Sequence, residues 1–252
     1  GSAIQTVTAP AGSIVSGQFA NATLALPSGL TVVGNTGIGT TSPTDTNGFS
    51  RALDVNGSSG AAVYTRTNGS ATNRTVFANS GTDGYVFNGG AGTLRFYTNA
   101  TQHMSIDSTG AVSKPNQPAF LAFASANSNL AIDTAHTVAF GTEVYDQNAD
   151  FSSNIFTAPV TGRYFLNANF YGTTIVNNAN YFWFYIETSN RTYSSIVDPG
   201  TLSESSSYHS LHVSAVADMD ANDTAKVIVY QNGGSALSDL GGGTFFSGCL
   251  LA

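Results

Sequence analysis

Strand patterns recur along the whole chain, and in its C-terminal half no segment has the 3.6-residue period of an amphipathic helix. Alternation is clearest after residue 163, where one face of a predicted strand carries Tyr164, Leu166, Ala168 and Phe170. Charged residues make up only 9% of the sequence, and Gly, Ser, Thr, Asn and Ala take their place. That mixture favours strands and turns over helices. The sequence therefore predicts an all-β protein.

The opposite face of the same predicted strand carries large rings as well, Phe165 and Tyr171. A strand with apolar groups on both faces has to be covered twice. One cover would be a second sheet of the same chain. We expect the other cover to be a neighbouring subunit.

Charge excludes two classes of partner. The net charge is −7, with only eight Lys and Arg residues, and no cluster of cations offers a phosphate-binding face. No run of about 18 apolar residues could cross a bilayer, and no secretory leader is recognisable. We therefore expect neither a nucleic-acid partner nor membrane insertion.

Residues 1–113 consist of short apolar runs broken by glycine turns. Tight hairpin turns are predicted at Asn56-Gly57, Asn68-Gly69 and Asp83-Gly84, because these residues tolerate positive φ. Runs this short cannot close a thick core within one chain. Several chains that wind together could share a narrow axial core. The region is therefore predicted to be an intertwined, trimeric β shaft.

The boundary is predicted at Lys114, where Pro115 and Pro118 stop any strand ladder. Beyond it, residues 114–252 form the second predicted domain, with longer and more aromatic strands. Eight strands are the number of a jelly-roll β-sandwich. They are predicted over residues 119–124, 137–145, 155–158, 163–175, 181–188, 208–217, 225–231 and 244–251.

Two phrases of the first region resemble those of bacteriophage tail-fibre and virion proteins. The first phrase is Gly37-Ile38-Gly39-Thr40-Thr41-Ser42-Pro43, followed by Leu53-Asp54-Val55. The second is Leu94-Arg95-Phe96-Tyr97-Thr98-Asn99, followed by residues 104–110, Met-Ser-Ile-Asp-Ser-Thr-Gly. In many such fibres this phrase precedes a self-cleaving chaperone, which we do not expect in residues 114–252.

The second region carries a different set of short motifs. Tyr145-Asp146, Asp150-Phe151, residues 156–159 and residues 162–165 come first, followed by residues 219–227 and 244–251. In order and spacing these resemble the trimeric jelly-roll head of the complement C1q and tumour necrosis factor families, over about residues 118–252. Cys249 stands where the family usually has an aromatic residue. The resemblance implies a trimer, with Tyr164 and Phe246 between the sheets or near the subunit contact.

Acidic residues that could serve catalysis or metal binding lie where turns are predicted. Asp146 with Asp150, and Asp218 with Asp220 and Asp223, are close in sequence, but Asp is itself a favoured turn residue. Some C1q-like heads carry calcium, so Asp218, Asp220 and Asp223 are a candidate calcium site, although their spacing is not that of an EF-hand. No nucleophile motif or phosphate loop is present. We expect no enzyme activity, no catalytic residues and no cofactor.

We expect the histidines and the single cysteine to have structural rather than chemical roles. His209 and His212 are three apart in a predicted strand, so they face opposite sides and cannot share a metal within one chain. A site built from one histidine of each of three subunits was the alternative. Cys249 is the only cysteine, so no disulfide forms within the chain. Its apolar surroundings predict a buried, inert thiol.

Five consecutive aromatic residues, Tyr181 to Tyr185, mark the most aromatic strand. Tyr181, Trp183 and Tyr185 should share one face, and Phe182 and Phe184 the other. Two interpretations stay open. The rings pack in the core and at an interface, or they form a platform on which sugars stack.

Together these features predict a homotrimeric phage fibre, part of the virion, whose C-terminal knob binds a bacterial surface glycan or protein. The polar stretches 188–207 and 232–243, with Tyr193 and Tyr208, are the predicted recognition loops. The first alternative is a capsid-attached head fibre or decoration protein, with residues 3–30 as its anchor, whose knob only trimerises. In either case the N-terminal region is expected to contact a tail or capsid protein of the virion. The third hypothesis is a polysaccharide-degrading tailspike.

Overall fold

A computed structural model describes residues 36–38, 53–55, 58, 60–66, 74–201, 208–235 and 238–252. The chain divides into two compact units, residues 1–91 and 92–252. The domain boundary expected at Lys114 stays a prediction. The anchor expected over residues 3–30 and the turns expected at Asn56 and Asn68 lie outside the described residues.

The first unit holds a parallel pair and a three-stranded antiparallel sheet. Its strands are β1 (Thr36–Ile38), β2 (Leu53–Val55), β3 (Gly60–Arg66), β4 (Arg74–Ser80) and β5 (Asp83–Asn88). The turn expected at Asp83-Gly84 is two residues earlier. Ser80 pairs with Asp83, so the turn consists of Gly81 and Thr82. Gly81 has a φ of 58°, which glycine adopts without a Cβ penalty.

The described residues of the second unit form strands and one short 3-10 turn, Pro199–Thr201. Its strands are β6 (Leu94–Thr98), β7 (Thr101–Ile106), β8 (Val112–Ser113), β9 (Ala119–Ala124), β10 (Asn127–Leu130), β11 (His136–Thr137), β12 (Phe140–Asp146), β13 (Phe151–Ser152), β14 (Ile155–Thr157), β15 (Gly162–Thr174), β16 (Tyr181–Thr188), β17 (Thr192–Val197), β18 (His209–Met219), β19 (Thr224–Asn232), β20 (Ser238–Leu240) and β21 (Phe245–Leu250).

Strands β6, β7 and β8 form a small antiparallel sheet ahead of the sandwich. The turn between β7 and β8 is held by Asp107. Its Oδ1 accepts hydrogen bonds from the backbone nitrogens of Thr109 (2.8 Å) and Ala111 (3.0 Å) and from the Thr109 hydroxyl (2.7 Å). Gly110 follows with a φ of 91°. The Asp-Ser-Thr-Gly phrase is therefore a side-chain-capped turn.

The remaining strands form two facing sheets. The larger sheet has the strand order β12-β9-β21-β15-β18. Strand β20 pairs with β15 on the same side as β21, and β10 pairs with β20. The smaller sheet runs β13-β14-β19-β16-β17, and β11 lies beside β19.

The pairing order identifies the topology. Eight strands, β9, β14, β15, β16, β17, β18, β19 and β21, pair in a nested order. The first pairs with the last (β9 with β21), the second with the seventh (β14 with β19), the third with the sixth (β15 with β18), and the fourth with the fifth (β16 with β17). A long hairpin rolled into two sheets pairs in this way, which is the jelly roll. The predicted all-β, jelly-roll class is confirmed for this unit.

The core lies between the two sheets. Inward residues of β15, including Tyr164 and Phe170, are fully buried, whereas the intervening Phe165 is 39% exposed, so the predicted alternation is confirmed. Phe120 stands at the centre, with its ring centroid 4.9 Å from those of Phe151, Phe156 and Phe246. The Tyr164 hydroxyl donates to the Val160 carbonyl at 2.7 Å, which satisfies the one polar atom of that ring.

Two stretches expected to be polar loops contain strands. Residues 188–207 include β17, which pairs with β16 over its whole length. Residues 232–243 include β20, whose Ser238 and Leu240 are buried. Strand β17 contains two serines and strand β20 has only three residues, so the β propensity of their sequences is a weak signal. Backbone pairing with a long neighbour decides their conformation.

Candidate functional site

One row of side chains crosses the outward face of the larger sheet. Phe165 lies opposite Val216 on one neighbouring strand and opposite Cys249 on the other, and Cys249 lies opposite Ala119. Phe165 is 39% exposed and Val216 is 55% exposed. We call this row, Val216-Phe165-Cys249-Ala119, the Phe165 row. It is an apolar strip that the chain itself leaves uncovered.

The same face is aromatic again at its other end. The rings of Phe123 and Phe245 are 5.8 Å apart, and Tyr171 stacks on Tyr208 with a centroid distance of 6.0 Å. Between the two ends lies a polar strip that contains Ser214, Asn167 and Ser247, each opposite the next. The outward face of the larger sheet therefore carries apolar groups at both ends and polar groups between them.

Cys249 is half-buried, so the prediction of a buried thiol is wrong for the single chain. The reason is the period of two along β21. Phe246 and Gly248 point inward, which places Cys249 outward beside Phe165. The apolar sequence neighbours of Cys249 suggested a core position, but they do not determine which face of the sheet its side chain points to.

The predicted grouping in the most aromatic strand is confirmed. Phe182 and Phe184 are fully buried between the sheets, whereas Tyr181, Trp183 and Tyr185 lie on the outward face of the smaller sheet. The Trp183 and Tyr185 rings are 4.3 Å apart, and the Tyr181 and Tyr230 rings are 6.0 Å apart. We call these four outward residues, Tyr181, Trp183, Tyr185 and Tyr230, the aromatic face.

Register places the aromatic face at the middle of the sheet. Trp183 on β16 lies opposite Tyr230 on β19 and opposite Ile196 on β17. Ile196 is 61% exposed. In the next row Tyr185 lies between Ser194 and Ile228. Burial raises the pKa of the Tyr185 phenol, and the negative charge of Glu187 adds to the effect.

Polar groups border the aromatic face at two places. Asp133 Oδ1 accepts hydrogen bonds from the Tyr230 hydroxyl (3.4 Å), from Asn232 Nδ2 (3.0 Å) and from the Gly233 nitrogen (3.0 Å). At the other end Lys226 Nζ lies 2.8 Å from Glu187 Oε2. None of these contacts was visible from sequence spacing, because Asp133 is about a hundred residues from its partners.

Of the carboxylates singled out from sequence, Asp220 and Asp223 flank the turn between β18 and β19, whereas Asp218 lies on β18 and Asp146 is the last residue of β12, so the expectation that these two lie in turns is wrong. Asp218 forms an ion pair with Arg191 at 3.1 Å, and hydrogen bonding to that guanidinium lowers the pKa of Asp218. Asp223 Oδ2 accepts from the Asp220 nitrogen and from Asn190 Nδ2, each at 2.8 Å.

Asp146 accepts backbone hydrogen bonds from Asp150 (3.0 Å) and Phe151 (2.9 Å). Partial burial raises the pKa of Asp150. The described residues contain no group of three or more His, Cys, Asp or Glu side chains that could hold a metal. The structure therefore adds no support to the calcium hypothesis at Asp218, Asp220 and Asp223.

The two close histidines point apart, as expected. His209 is half-buried, and His212 is exposed on the outward face opposite Asn169. His103 lies 3.2 Å from Asn116 Nδ2, and a ring nitrogen of His136 lies 3.1 Å from the Ala131 carbonyl oxygen.

The expected recognition anchors differ from each other. Tyr193 lies on β17, is half-buried and packs against the hydrophobic core, and its role in recognition stays a prediction. Tyr208 is 67% exposed, in stacking contact with Tyr171. Residues 202–207 and 236–237, which belong to the expected loops, lie outside the described residues.

A cleft of about 460 Å³ opens at one end of the sandwich. Pro118, Pro159, Val160 and Leu251 supply apolar walls, and Lys114 supplies a cation. One wall is fixed by Gln117, whose Nε2 donates to the Leu250 carbonyl at 2.7 Å. Sequence reasoning missed this cleft, because it assembles from segments far apart in the chain.

No protein-family model matches the sequence, and no curated protein matches it either. Solved structures do align with it. The globular domain of zebrafish complement 1qA is 18% identical, with a TM-score of 0.37, over 54% of this chain and 98% of its own. Two crystal structures of murine APRIL, at pH 8.0 and pH 8.5, are 15% and 14% identical, with TM-scores of 0.40 and 0.39.

Both APRIL structures also align over 54% of this chain and 99% of their own. Identities this low concern the fold alone. The jelly-roll assignment rests on the pairing order of the strands. Among the described residues, no helix has the length and apolar character needed to cross a membrane.

Proposed function

We propose that this chain is a homotrimeric fibre protein of a bacteriophage virion that binds the bacterial surface through its C-terminal knob. The observation that carries the proposal is the apolar surface that one chain leaves uncovered, above all the Phe165 row. Contiguous exposed apolar patches on a soluble protein mark interaction surfaces. Burial of the row by another copy would stabilise the assembly at about 25 cal/mol per Å².

The first unit supports the same conclusion. In its sheet β3-β4-β5, Val76 is the one buried apolar residue among those described, whereas Phe77 and Val86 are more than half exposed. A three-stranded sheet needs a covered apolar face for stability. Neighbouring copies would supply that cover, as in an intertwined shaft.

The number of copies is inferred from the resemblance of residues 118–252 to the trimeric C1q and tumour necrosis factor heads. The phage assignment is inferred from the phrases in the first region. Strand pairing supports treating each phrase as one unit. In the first, Gly37 and Ile38 pair with Asp54 and Val55, and in the second, β6 pairs with β7.

Sedimentation equilibrium of the full chain tests the assembly. We expect a mass three times the 26.0 kDa of one chain, independent of dilution through the micromolar range. A monomer at micromolar concentration would contradict both the shaft and the knob.

A capsid-attached head fibre or decoration protein, with a knob that only trimerises, is the second candidate. Immunogold labelling of intact virions separates the candidates, since it places the protein on tail or capsid. Binding of a segment that starts near Lys114 to host cells, compared with binding of the full chain, then separates a recognition knob from a structural one. A polysaccharide-degrading tailspike ranks third, because the close Asp residues are engaged in turn contacts. Release of reducing ends from capsular polysaccharide would favour it.

A further inference from the structure

We propose that the aromatic face binds a neutral polysaccharide, with pyranose rings stacked on Trp183 and Tyr230. The inference names a ligand class for the knob and in that respect rests on the proposed recognition function. The binding chemistry itself requires only the smaller sheet.

The aromatic face is not needed to fill the core. The inward residues of the same strands, Phe182, Phe184 and Val229, already occupy the space between the sheets and are essentially fully buried. Of the outward rings, Tyr185 is buried, and Tyr181, Trp183 and Tyr230 are half-buried, so part of each of these three rings remains accessible. In a chain with one tryptophan, that residue stands on this face, with exposed Ile196 beside it.

The two outward faces of the jelly roll differ in chemistry. The Phe165 row presents hydrocarbon and a thiol, which suit a dry contact with a second protein surface. The aromatic face presents the half-buried rings of Tyr181, Trp183 and Tyr230, each with an apolar ring and a polar tip, around the buried ring of Tyr185. A pyranose has the matching character, since its C–H groups form an apolar face and its hydroxyls project from the edge.

The rings are held in place before any ligand arrives. Trp183 contacts Tyr185 with a centroid distance of 4.3 Å, and the Tyr230 hydroxyl is tied to Asp133. Aromatic side chains with few free torsions lose little entropy on binding. The face is therefore preorganised for a rigid, flat ligand.

Charge selects a neutral glycan. Lys226 is already paired with Glu187 at 2.8 Å, so neither is a free partner for an ionic ligand. Asp133 adds a negative charge at the opposite border, in a chain of net charge −7. An anionic polysaccharide would meet repulsion there. Sugar hydroxyls, in contrast, can donate to the Asp133 carboxylate.

Because Trp183 is the only tryptophan, emission excited at 295 nm reports directly on the face. The full chain would be titrated with oligosaccharides of dextran, amylose, cellulose, β-1,3-glucan, mannan and galactan, and with polygalacturonate as the anionic probe. Affinity electrophoresis through gels that contain the same polymers supplies a second measurement that needs no tryptophan.

We expect at least one neutral probe to change the Trp183 emission saturably and to retard the full chain in the gel. Tyr230→Ala should weaken both effects about fivefold to tenfold, the scale of one aromatic contact. Trp183→Ala should abolish retardation. Tyr97→Ala is the matched control, because it removes the same side chain from an exposed position. Tyr97 is 53% exposed and lies on β6, which is not part of the aromatic face.

Absence of any response to the neutral probes would overturn the inference. Retardation that survives both Tyr230→Ala and Trp183→Ala would overturn it too, as would a response to polygalacturonate alone. If the parent chain attaches to host cells but responds to no neutral probe, the glycan inference fails and recognition of the host stands. If the parent chain attaches to no host cell yet binds a neutral glycan, recognition of the host fails instead.

Discussion

Phe165 and Cys249 lie directly opposite each other on β15 and β21, with both side chains on the outward face of the larger sheet. Their inward neighbours, Leu166 and Gly248, are also paired and belong to the core. One strand pair thus contributes to two surfaces. The inward surface is covered within the chain, and we infer that the outward surface is covered by another copy.

We expect the segment 92–252 to form a trimer by itself, and Phe165→Asp in this segment should convert that trimer to monomer. A carboxylate in the middle of the Phe165 row would have to be desolvated in the contact, which costs several kcal/mol without a partner. The fold of one chain should survive, because Phe165 is already 39% exposed. Light scattering gives the mass, and circular dichroism checks the β structure.

Ser152→Asp is the control for that variant, since Ser152 is exposed on β13 of the smaller sheet. It adds the same charge away from the Phe165 row and should stay trimeric. If Phe165→Asp remained trimeric as well, the assembly would use another surface.

Cys249 should report on the same contact through its reactivity. In the assembled protein we expect slow labelling by a thiol reagent, because a neighbouring copy covers the Phe165 row. In monomeric Phe165→Asp the thiol should react at least about tenfold faster, since it is half-buried in one chain. Equal rates in the two proteins would contradict placement of Cys249 at the interface.

Gly248→Ala should destabilise the knob by about 1–3 kcal/mol. A Cβ there would stand 2.8 Å from Phe120 Cε1, 2.9 Å from Leu166 Cδ2 and 3.2 Å from the Phe165 carbonyl oxygen. Denaturant midpoints measure the loss. Gly242→Ala is the control, since its Cβ would meet only the Ala124 carbonyl oxygen at 3.6 Å. Equal midpoints for the two variants would disprove the close approach.

Asp107 should titrate below the ordinary carboxyl value of about 3.9. Hydrogen bonds from Thr109, and then from the Ala111 nitrogen, lower its pKa in the folded chain. Because the pKa is lower in the folded chain, ionised Asp107 stabilises the fold at pH values above its pKa in the unfolded chain. This contribution is lost as the pH falls through its pKa in the folded chain. Carboxyl carbon shifts measured by NMR from pH 6 to pH 2 give the midpoint. Thr109→Val, which removes the hydroxyl donor, should raise it.

Much of the jelly roll was predictable from sequence, because alternation with period two is a local property. It assigned Tyr164 and Phe170 to one face of β15, and it separated Trp183 from Phe184 on β16. The predicted strands 119–124 and 181–188 coincide with β9 and β16. Strand β17 was missed, since Ser194 and Ser195 give it little intrinsic preference and its pairing with β16 forms it.

The alternation of side chains along one strand does not predict which residues of other strands lie beside it. Register between distant strands decides that, and it is set by backbone hydrogen bonds across the sheet together with burial of one face. Only the tertiary structure could therefore bring Val216, Phe165 and Cys249 into one row, or place Asp133 against Tyr230. The sequence by itself determined that both faces of β15 carry large aromatic rings. The rolled pairing of eight strands decided which of those faces the chain covers for itself, because each sheet has only one partner sheet.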